Sequence, residues 1–366
     1  MTKESSTTFR KVINQYPHFK RKLLWLYDLA NAYLPFIIGT LTRFPAYIQN
    51  KMNSKVLAKP GTLSYAGGVF NPGALVLDNR RIFLLARSQV VPWFKARGKY
   101  RQYYLQGAPV GFILECQSLK ITEEFVITRT TEFPNDESYA IEDFRLFRWK
   151  GMSMVNHSLI IKGKTDGFIY QEAVQSALSC FDETEKSFRF CALPKVDFPT
   201  EKFEKNWMYR EHGEELLLFY SVNPYKVLAL EVEGQFVFKT IINRQFGGKL
   251  KDPGGFGTMV SYSTNPIDFD DAHWLMVIHQ IKYTSVGRCY YHWAVLIDNT
   301  TFFPVKITSI PIFSGKGARG RLPGYRYISS ILNVENEILF FAGEGDVYVT
   351  VTKKPVTELS DLFVDI

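Results

Sequence analysis

The chain has 366 residues, 46% of them hydrophobic and 22% charged; that is enough apolar material for a sizeable core and excludes a disordered tail, a fibre and a disulfide miniprotein. Its formal charge of +8 comes from 44 basic against 36 acidic side chains, but residues 1–59 hold 10 of the bases and 2 of the acids, leaving 34 of each sign in residues 60–366. A neutral body lacks the spread of Lys and Arg with which a nucleic-acid-binding face neutralises phosphates, so no nucleic-acid partner is expected.

Polar residues 1–6 come first, in place of the charged and then uniformly apolar start of a secretory signal. Basic residues 10–22 follow, with Arg10, Lys11, Lys20, Arg21 and Lys22, and run into the largely apolar stretch 23–41. Nineteen residues approach a bilayer span, yet Asp28, Asn31 and Pro35 oppose one. Aromatic and apolar residues beside Lys and Arg suit a helix lying on an anionic membrane surface, with packing against the body as the alternative. The expected division is a basic, apolar N-terminal helical segment over 1–59, able to anchor residues 10–50 at a membrane interface, and one domain over 60–366. The expected location is cytoplasmic, peripheral on the membrane.

From Val69 onward, short runs of Val, Ile, Phe, Tyr and Leu alternate with Gly, Asn, Asp and Pro. Such runs are strand signals, and polar turns near 78–81, 150–151 and 344–346 pair several into antiparallel hairpins. Without helical periodicity after residue 60, a parallel α/β sheet with a Rossmann site is excluded. The hairpins group near 65–130, 138–195, 200–245, 255–305 and 320–355. Five four-stranded units predict an all-β, five-bladed β-propeller, with a two-sheet sandwich as competitor.

Cys116, Cys180, Cys191 and Cys289 form no CxxC pair and have no His at ligand spacing, so reduced thiols and no metal site are expected. There is no GxSxG and no GxxxxGK[ST], and the glycines at 254, 255 and 257 read as a turn. The remaining polar residues fall after or inside strand runs: Arg87 closing LLAR, EDFR over 142–145, EKNW over 204–207, His279, RCYYH over 288–292 and EGD over 344–346. An arginine beside an acid in a β-protein is commonly a surface ion pair, His279 could be a satisfied core histidine, and Trp207 and Tyr291 could be core aromatics. Against that, one polar constellation per hairpin group is what a pocket shared by all blades would need.

The order Phe70-Asn71-Pro72-Gly73-Ala74, LLAR, EDFR, EKNW, a Gly-Gly loop, RCYYH and a closing GEGD resembles glycoside hydrolase family 130, the β-mannoside phosphorylases. It also resembles their relatives, the β-1,2-mannosyltransferases of yeasts and the mannosyltransferase/phosphorylases of trypanosomatid parasites. The resemblance covers about residues 65–355, and EKNW with the following NPYKVLAL is closer to the mannosyltransferase branch. Phe144 stands where the family has Pro.

The resemblance implies an inverting β-mannosyltransferase that moves mannose from an activated donor to a mannoside or glycan acceptor without a cofactor. A phosphorylase using inorganic phosphate and a non-catalytic glycan-binding propeller are the alternatives. Hydrolysis ordinarily needs two carboxylates, whereas transfer to or from phosphate can proceed with one. The resemblance places Asp143 in that role, directly or through a sugar hydroxyl. It further implies Asn71, Arg87, Glu142, Arg145, Asn206, Trp207, Tyr291 and Asp346 on the sugars, and Lys205, His279, Arg288 and His292 on phosphate or nucleotide.

Overall fold

The computed structural model describes residues 54–60, 67–90, 107–129, 139–165, 168–284, 287–320, 322 and 324–366. About two thirds of these are in strands, which form five sheets. The first joins Gly68–Asp78, Arg81–Gln89, Val110–Glu115 and Ile121–Val126; the second runs from Tyr139–Trp149 through Met152–Thr165 and Phe168–Asp182 to Ser187–Ala192. The third contains Met208–His212, Glu215–Val222, Tyr225–Val232 and Val237–Arg244. The fourth is built on Val260–Tyr262, His273–Thr284, Gly287–Asp298 and Pro304–Thr308, and the fifth on Arg326–Val334, Glu337–Glu344 and Tyr348–Pro355.

Alternation along the strands explains how these sheets assemble. In Arg81–Gln89, Ile82, Leu84 and Ala86 point to one side and Phe83 and Leu85 to the other. The first group packs with Leu339, Phe341 and Val349 of the fifth sheet, the second with Phe144, Val155 and Phe181 of the second. Equivalent apolar layers join the second sheet to the third, the third to the fourth, and the fourth to the fifth. The sheets therefore close into a ring, the β-propeller arrangement, and no sheet pairs off with a single partner as a sandwich requires.

Two closures were not legible in the hairpin pattern. Lys55–Ala58 pairs antiparallel with the strand Tyr348–Pro355, tying the chain ahead of the first sheet to the last one. A strand of the body thus begins before residue 60, because backbone pairing and not charge sets its edge. At the other end Phe363–Asp365 pairs with Pro304–Thr308 and extends the fourth sheet. The expected helix over residues 23–41, and with it most of the N-terminal segment, lies outside the described residues. Among the described residues, no helix is long and apolar enough to cross a membrane.

Candidate active site

At the ring's centre lies a cavity of about 650 Å³, within the range of small-ligand sites. Each sheet contributes to its wall: Asn71 and Arg87 from the first, Glu142 and Asp143 from the second, Lys205 and Asn206 ahead of the third, His279 and Arg288 from the fourth, and Tyr327 and Asp346 from the fifth. The sequence motifs far apart along the chain are thereby brought together.

Backbone conformation aims several of these groups. Asn71 (φ 50°), Asp143 (φ 57°), Asn206 (φ 63°) and Asp346 (φ 55°) are all left-handed, a region that Asn and Asp tolerate better than other side-chain-bearing residues. Asn71 and Asp143 also fall at register shifts, between Phe70 and Gly73 and between Glu142 and Arg145. Each interruption turns a polar side chain toward the centre where regular pleating would not. Gly343 closes in on this point: a Cβ there would lie 2.0 Å from Asn71 Oδ1, so only glycine fits.

Two adjacent carboxylates flank one guanidinium. Arg87 Nη2 donates to Glu142 Oε1 at 2.5 Å, Arg87 Nη1 lies 3.6 Å from Asp143 Oδ1, and Asn71 Nδ2 donates to the same oxygen at 3.2 Å. Burial pushes the Glu142 carboxyl up, and the negative neighbour Asp143 adds to this against the pull of Arg87. At Asp143 burial works in the same direction, but the charges of Arg87, Arg145 and Lys205 and the Asn71 amide outweigh it and hold this carboxyl below its ordinary value. The pair is thus split into an ionised base and a neighbour that takes up a proton more readily.

Arg145, expected on sugar or anion, is engaged by protein groups. It is 2% exposed and its fork is filled by protein acceptors: Nη1 donates to the Asp143 carbonyl at 2.7 Å, Nε to the Ser263 carbonyl at 2.7 Å, and Nη2 to Tyr327 Oη at 2.6 Å and Asn206 Oδ1 at 3.3 Å. It bridges four sheets and holds the turn that presents Asp143.

The two histidines expected on phosphate are both buried. His279 lines the cavity with Nδ1 2.9 Å from Ser263 Oγ, but burial, reinforced by the charges of Arg145 and Lys205, pushes its pKa down to about 3. His292 is fully buried away from the wall, its Nε2 accepts the Ile328 N–H at 3.2 Å, and burial pushes it well below the ordinary histidine range. Burial thus favours the neutral form of both imidazoles, and among the described residues Lys205 and Arg288 are exposed cations on the wall.

Two aromatics pack into apolar layers, Trp207 buried and Tyr291 half-buried. Trp207 is buried between the second and third sheets, and its Nε1 donates to Glu204 Oε2 at 3.1 Å, so EKNW staples a loop that presents Lys205 and Asn206. Tyr291 packs beside Phe256 in the layer between the third and fourth sheets. Its neighbour Tyr290 faces the cavity instead, with Tyr283, Tyr325 and Tyr327. Gln89, Ser158, Gln171 and Ser261 also line the wall. Inward alternation along the hairpin strands was the available signal for Tyr290, and no motif marked the others. Glu344 of the EGD run is fully buried, with Arg319 and Arg326 beside its carboxylate, while Asp346 reaches the wall.

No protein-family model and no curated protein matches the sequence. Solved structures do match in fold. One, reported with the glycoside hydrolase family 130 mannoside phosphorylases and with the hydrolases among them that target β-1,2-mannosidic linkages in Candida mannan, aligns at TM-score 0.60 and 10% identity over 82% of this chain and 91% of that one. The β-1,2-mannobiose phosphorylase of Listeria innocua aligns at TM-score 0.56 and 16% identity over 86% and 97%. A GDP-Man-dependent mannosyltransferase of Leishmania mexicana aligns at 0.53 and 10% over 86% and 94%. The chain has the propeller fold of glycoside hydrolase family 130. Within this ring Glu142 and Asp143 reach the cavity, while Phe144 is buried in the layer between the first two sheets.

Proposed function

We propose that the chain is an inverting mannosyl-transfer enzyme in which Asp143 handles the proton and Lys205 and Arg288 hold a phosphate-type group. The observation that carries this reading is geometric: Asp143, held by Asn71 Nδ2 and facing Arg87, stands at the wall of a cavity that also offers Lys205 and Arg288. In the transfer direction a donor's phosphate departs from the anomeric carbon toward these cations, the acceptor hydroxyl attacks the opposite face, and Asp143 accepts its proton directly or through a sugar hydroxyl. A carboxyl held below its ordinary value suits the accepting role. Phosphorolysis of a mannoside is the same step reversed, and similarity to the Listeria phosphorylase supports it as the second reading. Mannose itself is drawn from the neighbours, as is the choice between nucleotide sugar and sugar phosphate. Assembly of a surface glycan at an anionic cytoplasmic membrane would give residues 10–50 their role, and vesicle flotation that depends on anionic lipid and weakens with salt tests that part.

The deciding assay incubates the protein with mannobiose and GDP-mannose, with mannobiose and mannose 1-phosphate, and with mannobiose and inorganic phosphate. Chain extension with GDP-mannose shows transfer from a nucleotide sugar, whereas extension with mannose 1-phosphate together with mannose 1-phosphate release in the third incubation shows a reversible phosphorylase; release of free mannose alone would show hydrolysis. Asp143→Asn should lower turnover about 10²–10⁴-fold while donor binding stays, and more than about a tenth of activity remaining would remove Asp143 from the role.

A further inference from the structure

Two cysteines that serve neither cavity nor core closure stand together at the outer edge of the second sheet. Cys180 lies on Phe168–Asp182 opposite Arg189 of the strand Ser187–Ala192. That strand carries a bulge between Phe190 and Ala192, which inserts Cys191 and breaks the alternation at this point. In consequence both sulfurs reach one atom: Cys180 Sγ lies 3.7 Å and Cys191 Sγ 3.6 Å from the Arg189 carbonyl oxygen. The side chain of the same arginine returns over the strand, and its Nε donates to Cys180 Sγ at 3.3 Å. Both thiols are half-buried and open to small solutes, whereas Cys116 and Cys289 are buried.

We propose that Cys180 and Cys191 form a peroxide-sensitive pair in which Cys180 is oxidised first and Cys191 closes a disulfide onto it. The two sulfurs are not equivalent. Cys180 Sγ receives the Arg189 guanidinium N–H directly, at the sheet's outer face. At Cys191, burial and then the neighbouring sulfur push the pKa up to about 12, so it is the slower of the two to meet peroxide and gives up its proton only as it closes onto the sulfenic sulfur. Thiolate attack on hydrogen peroxide converts Cys180 to a sulfenic acid and releases hydroxide, which takes up the thiol's former proton as water. Attack by Cys191 sulfur on the sulfenic sulfur forms the S–S bond and releases a second water. Two thiols and one peroxide thus give one disulfide and two waters. The bond would fasten Ser187–Ala192 to its neighbour at the bulge, where the cysteines border the apolar layer containing Phe198, Tyr220 and Trp207.

The test uses the full-length protein with hydrogen peroxide as the probe. After quenching, denaturation and alkylation, two of the four thiols should be protected, the Cys180 and Cys191 peptides should migrate as one linked species, and dithiothreitol should release them. Retention of four alkylatable thiols, or overoxidation of Cys180 without a link, would overturn the proposal. In Cys191→Ser the sulfenic acid should be trapped on Cys180 by dimedone; in Cys180→Ser no dimedone adduct should form on Cys191. Trapping on Cys191 would reverse the assigned order and refute the role given to Arg189.

Discussion

Arg145 Nη1 donates to the backbone carbonyl of Asp143, 2.7 Å away, so a residue two positions along the chain fixes the left-handed turn that aims the carboxylate. A lysine can keep the charge but cannot span the acceptors from four sheets that the guanidinium satisfies. Arg145→Met leaves those acceptors unpaired and should cost about 3 kcal/mol or more. Arg145→Lys should recover part of the stability but little turnover, with kcat reduced and donor Kd unchanged. Loss of donor affinity with normal kcat would instead mean that the arginine contacts ligand.

Tyr290 and Tyr291 provide a paired test of strand alternation. Tyr290 faces the cavity and Tyr291 the apolar layer with Phe256 and Trp293. Tyr290→Ala should raise KM for the acceptor or donor while leaving the melting temperature near that of the wild type. Tyr291→Ala should lower stability by about 2–4 kcal/mol, in the range for large-to-small changes in a core, with KM unaltered. The opposite assignment of effects would show that the register of Gly287–Asp298 is wrong by one residue.

The same contrast shows how far the sequence could be read. Period-two runs and turn residues identified sheets and their order, because alternation is imposed locally by the pleat. They could also identify Asn71, Asp143, Lys205, Asn206, Arg288 and Asp346 as polar interruptions, which the structure gathers. Alternation separates Tyr290 from Tyr291, but which face of the strand meets the cavity depends on what the neighbouring sheet offers, and Trp207 precedes its strand, where no alternation applies. Nor could the runs and turns show that Arg145 and His292 meet protein groups, because a charged or titratable residue beside a site carries the same letters whether it meets ligand or protein.

Truncation should reveal the edge strand. A chain starting at residue 54 keeps the pairing of Lys55 with Val351 and Val56 with Thr350, whereas one starting at residue 60 loses it and exposes the edge of Tyr348–Pro355. The first should give a cooperative β-type unfolding transition, and the second a lower melting temperature with a tendency to associate through the bared strand. Equal stability of the two would show that Lys55–Ala58 contributes nothing to closure.

The last prediction concerns acid. His279 is 6% exposed and its pKa is pushed down to about 3, below the 6.5 of an ordinary histidine. Between those values the unfolded chain binds a proton that the folded chain refuses, so this contribution is complete above the ordinary value and is lost as pH falls toward the folded one. The slope per histidine is about 1.4 kcal/mol per pH unit, and His292, also depressed, adds a second. Glu142 acts in the other sense: its raised carboxyl favours the folded state as pH falls, while Asp143, held low, matters only below the carboxylate range. Urea unfolding from about pH 7 to about pH 5 should therefore show declining stability in the wild type, and His279→Gln should remove about one proton's worth of the slope. Parallel slopes would mean that the folded protein already carries a charged imidazole. In that case His279 would return as a phosphate anchor. If it is neutral, His279→Gln should weaken binding of a phosphate-bearing donor less than Lys205→Ala does, because only the lysine removes a charge from the wall.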